Sequence, residues 1–260
     1  MILQLLSVLP RKYLSHLTGK VVHLEKPIWF SKWLKHTLIK KFNINTAEAE
    51  FETDHYPSFG SFFARRLKEG ERVMSEDEFI LPCDGVISEK GDITEGHLTQ
   101  CKDINYSLQK LLKNETYAKQ FLEGYFITIY LAPFNYHRVH TPADATVTDN
   151  YTIEGDLWPV NQKSVSSIDE LFCINERNIS VCETQAGSYA QIMVGATNVG
   201  AMELMPDIQK GNTIKKGGEY GIFNMGSTVV LLFDSNLKES LKIDHTESGP
   251  VRCLESFNRK

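Results

Sequence analysis

From Ile80 onward the chain is written in short runs of β-branched and aromatic residues separated by turn residues: "ILPCDGVIS", "YFITIYLAPFNYHRVHTP", "ATVTDNYTI", "ISVCETQ", "QIMVGATNVGAM" and "STVVLLF". Runs of this length bounded by Gly, Pro, Asn and Asp are strands, so this region has to fold by pairing them. The final run, Val229 to Phe233, is apolar without interruption and reads as a buried strand. Helices are expected to interrupt the strands only at "SLQKLL" and near "SSIDELF".

The first part of the chain has a different period. Ile2, Leu5, Leu6 and Leu9 follow helical spacing, and Pro10 can open a second short helix ending at Gly19. In "IWFSKWLKHTLIKKF", Phe30, Leu34, Leu38 and Phe42 recur every four residues, with Trp29 and Trp33 beside them and Lys32 and Lys35 on the other side. A further helix is expected in "HYPSFGSFFARRLKEG", ending at Gly70. The predicted fold is therefore α+β: N-terminal amphipathic helices followed by a largely antiparallel β-rich domain. The boundary is placed between residues 1–47 and 48–260.

Charge follows the same division. Residues 1 to 47 hold eight basic residues and one acid, +7, so the remainder carries -12 of a formal net charge of -5. A basic amphipathic helix with aromatic residues near its apolar face suits the surface of an anionic membrane, where each basic residue contributes about 1 kcal/mol. Packing of this helix on its own domain is the competing reading. No apolar stretch approaches the roughly 18 residues that span a bilayer, and "MILQLLSVL" lacks the flanks of a secretory signal. The five cysteines are odd in number, scattered and without a C-x-x-C pair, which points to a reducing compartment rather than a disulfide framework.

Three places could carry chemistry: Ser227 at the start of the last strand, Asp84 in "PCDGV", and His137 and His140 in "YHRVH". Taken alone, each has an ordinary structural explanation in a turn or loop. The two histidines have no carboxylate or cysteine at ligand spacing, so no metal is expected. "MGSTV" lacks the second glycine of a G-x-S-x-G nucleophile elbow and leads into a strand instead of a helix.

The segments "FFARRL", "DGVIS", "YSLQKLL", "YHRVHTP", "GDLWPVN", "NER", "VGATNVG" and "KGGEYGIFNMGSTVV" resemble, in order and approximate spacing, the phosphatidylserine decarboxylases, and the resemblance covers nearly the whole chain. That resemblance implies a proenzyme that cuts itself between Gly226 and Ser227, within Met225-Gly226-Ser227-Thr228 where the family most often has Leu before the glycine. The products would be a β chain of residues 1–226 and an α chain of residues 227–260, which stay associated. Ser227 would become a pyruvoyl group that forms a Schiff base with phosphatidylserine and serves as the only cofactor. On this reading Asp84, His140 and Ser227 form the self-cleavage triad, with Asp84 orienting the imidazole and His140 acting as base. His137, with an imidazole pKa near neutral, would protonate the carbanion after CO2 leaves.

The expected partners are the phospholipid substrate and an anionic membrane surface, and no nucleic acid; a homodimer is left open. The expected location is the cytoplasmic side of the cell membrane, peripherally bound. Two rival readings are a pyruvoyl decarboxylase acting on another aminophospholipid or an amino acid, and a non-catalytic membrane-binding β domain.

Overall fold

A computed structural model describes residues 11–102, 104–197, 202–224, 227–243 and 246–257, with only the backbone described for 11–16. The helix expected over Ile2 to Leu9, and Met225 and Gly226, lie outside the described residues. The strands are β1 Gly85–Asp92, β2 His97–Cys101, β3 Ile104–Ser107, β4 Tyr125–Leu131, β5 Arg138–His140, β6 Ala145–Ile153, β7 Arg177–Glu183, β8 Ser188–Val194, β9 Met202–Leu204, β10 Thr213–Ile214, β11 Glu219–Phe223, β12 Ser227–Phe233 and β13 Gly249–Val251. Eight of them form one sheet in the order β10-β6-β7-β8-β12-β4-β1-β13, and every pairing in it is antiparallel. β5, β11 and β9 make a smaller sheet, and β2 and β3 a hairpin that the sequence reading did not anticipate. The architecture is α+β, with helices first and the β-rich part after.

All seven residues of β12 are buried. Its neighbours match: β4 reads YFITIYL and β8 SYAQIMV, each nearly continuous in buried residues. Such strands hold the centre of a sheet covered on both faces, where side chains alternate between two apolar layers.

The helices show where local pattern and tertiary packing disagree. Helix Ile28–Phe42 has the bounds its four-residue spacing suggests. Its inward face, however, includes Ser31 and Lys35. Lys35 does not lie on a solvated side: its Nζ donates to the carbonyls of Thr53 at 2.8 Å and Tyr56 at 2.6 Å. Leu38, Ile39 and Phe42 pack on a second apolar cluster made by Val22, Ile44, Ala49, Tyr56, Phe59, Phe62 and Phe63. Ile28, Trp29 and Trp33 are left exposed, at 64%, 72% and 58%.

The first described helix, Arg11–Val22, runs past Gly19. An interior glycine costs only about 1 kcal/mol, and Val22 reaches the second cluster. The helix expected to end at Gly70 covers only Phe59–Phe63. Beyond Ala64 the backbone pairs with residues 48–50 instead, through Glu50 N–H to the Arg66 carbonyl at 2.9 Å and Lys68 N–H to the Glu48 carbonyl at 3.0 Å. The helix expected near "SSIDELF" is replaced by two short ones, Gln162–Val165 and Leu171–Ile174, with Glu170 between them at φ 54°. Helix Leu108–Leu112 lies where expected, and Glu115–Gln120 adds a helix that was not.

One buried charge braces this part of the fold. Arg177, fully buried on β7, donates to four carbonyls, those of Leu111 at 2.7 Å, Cys173 at 2.7 Å, Asn175 at 2.8 Å and Lys110 at 2.8 Å. Arg177→Met removes every one of these donors and strands the carbonyls, so it should lower unfolding free energy by at least about 3 kcal/mol in urea titrations. A loss under about 1 kcal/mol would mean that water replaces the guanidinium.

Candidate active site

Ser227 is the first residue of β12 and sits opposite Leu131, the last residue of β4. Thr228, next along, lies between Tyr130 on one side and Val194 on the other. The central strand therefore delivers Ser227 to the place where β4 ends and its loop begins. Ser227 is fully buried, and its Oγ has no hydrogen-bond partner among the described residues.

The loop after β4 turns at once. Asn135 closes it, with Ala132 N–H donating to Asn135 Oδ1 at 2.8 Å and Asn135 N–H to the Ala132 carbonyl at 2.9 Å. His137 follows, and Phe223 N–H donates to its carbonyl at 3.0 Å, which ties the loop to β11. Three residues on, His140 ends β5 opposite Glu219 of β11. Its N–H donates to the Pro82 carbonyl at 2.7 Å, which draws the Asp84 turn to the same place.

The two histidines keep different company. The His137 ring lies against Phe63, with centroids 4.1 Å apart, and its Nδ1 bonds the Asn135 carbonyl at 2.8 Å. A carbonyl can only accept, so Nδ1 carries the proton and Nε2 holds a lone pair. That Nε2 is buried and has no partner among the described residues. His140 donates from Nδ1 to the Gly217 carbonyl at 2.9 Å and accepts at Nε2 from the Tyr136 hydroxyl at 3.2 Å. Gly217 suits this task because its φ of +77° is one that side chains disfavour, and a Cβ there would sit 2.6 Å from Met74 Sδ.

Asp84 does not hydrogen-bond the imidazole in this structure. Its Oδ1 accepts from Cys253 N–H at 2.8 Å and its Oδ2 from Arg72 Nη2 at 3.2 Å. Gly217 and Tyr136, not Asp84, hold the His140 ring by hydrogen bonds; burial lowers the imidazole pKa, and the Glu219 charge and, more weakly, that of Asp84 oppose this. The arginine, the tyrosine and the glycine were missed as site residues. Tyr136 and Gly217 stand inside segments that carry the family resemblance, "YHRVHTP" and "KGGEYGIFNMGSTVV", while Arg72 lies outside them, and nothing local marks the partners of any of the three.

Asp84 and Tyr136 line a cleft of about 290 Å³ with Asn45, Glu48, Arg65, Arg72, Phe134 and Arg252. Arg72 bridges Glu48 at 2.9 Å and Asp84 at 3.2 Å, and Arg252 reaches Glu48 at 2.6 Å. Burial opposes the charge of Arg72, yet its carboxylate partners raise its pKa. Behind His140, Arg138 and Arg66 both bind Glu219, at 2.8 Å and 2.9 Å, and hold it below the usual carboxylate range against the opposing effect of burial.

Burial also governs the imidazoles. It lowers the pKa of His140, and it pushes that of His137 down to about 3, with the nearby Arg65 charge acting in the same direction. The near-neutral value expected for His137 is thus corrected: the ring is neutral and its Nε2 accepts. In the unfolded chain a histidine titrates near 6.5. Between about 6.5 and 3 the unfolded state binds the proton that folded His137 refuses, so stability is full above 6.5 and falls as pH drops through this window. The slope from one such group is at most about 1.4 kcal/mol per pH unit. His137→Asn should flatten the decline of unfolding free energy between pH 6.5 and 4 by up to this amount; parallel curves for variant and parent would assign the decline to other groups.

A family model described as phosphatidylserine decarboxylase matches residues 59–257. Among curated proteins, the chain is 38% identical over 248 residues to the phosphatidylserine decarboxylase proenzyme of Myxococcus xanthus, covering 89% of each chain. It is 37% identical over 256 residues to that of Pseudoalteromonas translucida, covering 90% of this chain and 88% of the relative. With that of Aliivibrio fischeri strain MJ11 it shares 37% over 273 residues, 95% and 94% of the two chains. A match that spans the helical cluster, the Asp84 turn, both histidines and Ser227 at this identity is decisive: the chain belongs to the phosphatidylserine decarboxylase family.

Proposed function

We propose that this protein is a proenzyme that cuts its own backbone ahead of Ser227, converts that serine to a pyruvoyl group, and then decarboxylates phosphatidylserine to phosphatidylethanolamine. The observation that carries the reading is the Ser227 hydroxyl, sealed at the head of the central strand without a hydrogen-bond partner among the described residues. A buried hydroxyl left unpaired costs about 1–3 kcal/mol, and one held by no acceptor is free to act as a nucleophile. A pyruvoyl group built from Ser227 itself fits that position: elimination would remove the orphaned hydroxyl and leave Cβ as a methyl, and water would supply the keto oxygen on Cα as the serine nitrogen leaves as ammonia. Once formed, it would supply an electrophilic carbonyl for the substrate amine, as a Schiff base, and a sink for the electrons that CO2 leaves behind.

The residues around it have distinct parts to play. His140, neutral and with its proton fixed on Nδ1 by Gly217, offers Nε2 as base for the Ser227 hydroxyl once Tyr136 releases it. Burial opposes the imidazolium that results, and the charges of Glu219 and, more weakly, Asp84 favour it. His137 presents a bare Nε2 in a dry setting and is given the task of delivering a proton to Cα after CO2 leaves; because burial disfavours its imidazolium, it would take that proton up only with the substrate's negative charge beside it. No residue-bound metal enters the scheme.

Residues 1–47 are proposed as the membrane-facing segment. Ile28, Trp29 and Trp33 stand exposed on a helix that also carries Lys32, Lys40 and Lys41, and this supports peripheral binding at the anionic cytoplasmic face of the cell membrane. No helix of the described residues is long and apolar enough to cross a membrane.

Intact-mass analysis of purified protein should give two chains, residues 1–226 and 227–260, the shorter without a free amino end. Ser227→Ala should remain whole, and Asp84→Ala and His140→Ala should remain mostly whole. A single intact chain from the parent protein after long incubation would refute the proposal. His137→Ala should cleave yet turn over at least about 100-fold more slowly; near-parental turnover would make His137 structural. For the membrane segment, the double variant Trp29→Ala, Trp33→Ala should lose co-sedimentation with anionic vesicles while keeping its folded circular dichroism spectrum. Binding equal to that of the parent would remove the segment from the membrane assignment.

A further inference from the structure

The protein treats two buried guanidinium groups in opposite ways. Arg177 is satisfied by four carbonyls. Arg65, only 2% exposed, has no ion pair among the described residues, and its Nε and Nη1 are buried without a hydrogen-bond partner. It lies over the face of Phe62, 4.9 Å from the ring centroid, and burial lowers its pKa although the charges of Glu48 and Asp84 act the other way from beyond hydrogen-bond reach. A guanidinium keeps its proton under all conditions in which a protein is folded, and an uncompensated buried charge is strongly destabilising.

The carboxylates that could neutralise it are already committed. Glu48 is held by Arg72 and Arg252, and Asp84 by Arg72 and the Cys253 amide. Among the residues lining the cleft, three guanidinium groups (Arg65, Arg72, Arg252) face two carboxylates (Glu48, Asp84). The surplus positive charge belongs to Arg65. It lies on the wall of a cleft that also contains Asp84 and Tyr136, and its charge is felt at His137.

We propose that Arg65 seats the phosphodiester of the phospholipid substrate in this cleft. The inference rests on the reading of the chain as a phosphatidylserine decarboxylase and adds the residue that holds the head group. The substrate offers two oxyanions, and the reaction tells them apart. Its carboxylate surrenders its charge as CO2 leaves, so a guanidinium clamped on it would stabilise the ground state more than the transition state. The phosphodiester keeps its charge throughout, and a guanidinium bound to it lowers KM without slowing the chemical step. Phe134, 52% exposed, and Val86, 36% exposed, add apolar surface to the same cleft on which the glycerol end of the lipid can rest.

The test uses the self-processed two-chain enzyme, parent and R65Q, with phosphatidylserine in mixed micelles. Two soluble inhibitors separate the oxyanions: glycerophosphoethanolamine, with a phosphodiester and no carboxylate, and serine, with a carboxylate and no phosphate. R65Q should raise KM and weaken inhibition by glycerophosphoethanolamine, each by about 10-fold to 100-fold, the range expected when a charged hydrogen bond is lost. Its kcat and its inhibition by serine should stay within about 3-fold of the parent. A cleaved R65Q with parental KM and inhibition overturns the proposal, and so does a variant that loses kcat and serine inhibition instead, which would place the carboxylate on Arg65. Should R65Q fail to fold or to cleave, R65K is judged by the same criteria. If the parent enzyme forms no pyruvoyl group or releases no CO2, the functional reading fails first and takes this inference with it.

Discussion

A strand buried from end to end must have every backbone N–H and C=O paired, because no water reaches it to take their place. β12 meets that demand through β4 on one edge and β8 on the other. The pairing fixes its register to a single residue, since a one-residue slip would turn every side chain to the wrong layer. Ser227 is thereby set opposite Leu131, at the mouth of the loop that carries Tyr136 and His137. The second sheet then holds β5 against β11, which brings His140 to the Gly217 turn. The position of the chemistry thus follows from the burial of a strand that takes no part in it beyond its first residue.

Around this apolar seam the charges are sorted by burial. Glu48, Asp84 and Glu219 are each paired with guanidinium groups, and for Glu48 and Glu219 these partners lower the pKa against the opposing effect of burial. The His137 and His140 rings have no carboxylate hydrogen-bond partner among the described residues and burial lowers both pKa values; each has one nitrogen fixed by a backbone carbonyl, while Nε2 is bare in His137 and accepts from Tyr136 in His140. A site that must move protons inside a dry interior benefits from this division. The paired carboxylates supply a steady field, and the neutral imidazoles keep nitrogen lone pairs that a proton could use.

Much of the fold was legible because it depends on local pattern. The β-branched runs after Ile80 became strands, and the four-residue spacing of Phe30, Leu34, Leu38 and Phe42 became one helix with those bounds. What could not be read depends on partners distant in the chain. Lys35 turns inward because the Thr53 and Tyr56 carbonyls need donors, and the segment after Phe63 abandons its helix to pair with residues 48–50. The site divides in the same way. Asp84, His137, His140 and Ser227 stood out locally, but each had an ordinary structural explanation, and only the family resemblance gave them roles. Their surroundings, including Arg72 on Asp84 and Tyr136 on His140, arise only when strands far apart in sequence are brought together. The depressed pKa of His137 likewise comes from its burial beside Phe63, a contact between residues 74 positions apart (137 - 63).

The chain beyond Ser227 crosses the sheet twice. It leaves as β12 beside β4, passes through the helix Ser235–Leu241, and returns as β13 beside β1, so β4 and β1 lie between its two strands. A break in the backbone ahead of Ser227 would therefore free a covalent end without freeing a fragment. The short piece would grip its larger partner like a clasp closed over two strands, and the two strand pairs would have to unzip together with the core before either chain could diffuse away. Separation would then run at the pace of global unfolding, and the two chains would denature as one cooperative body.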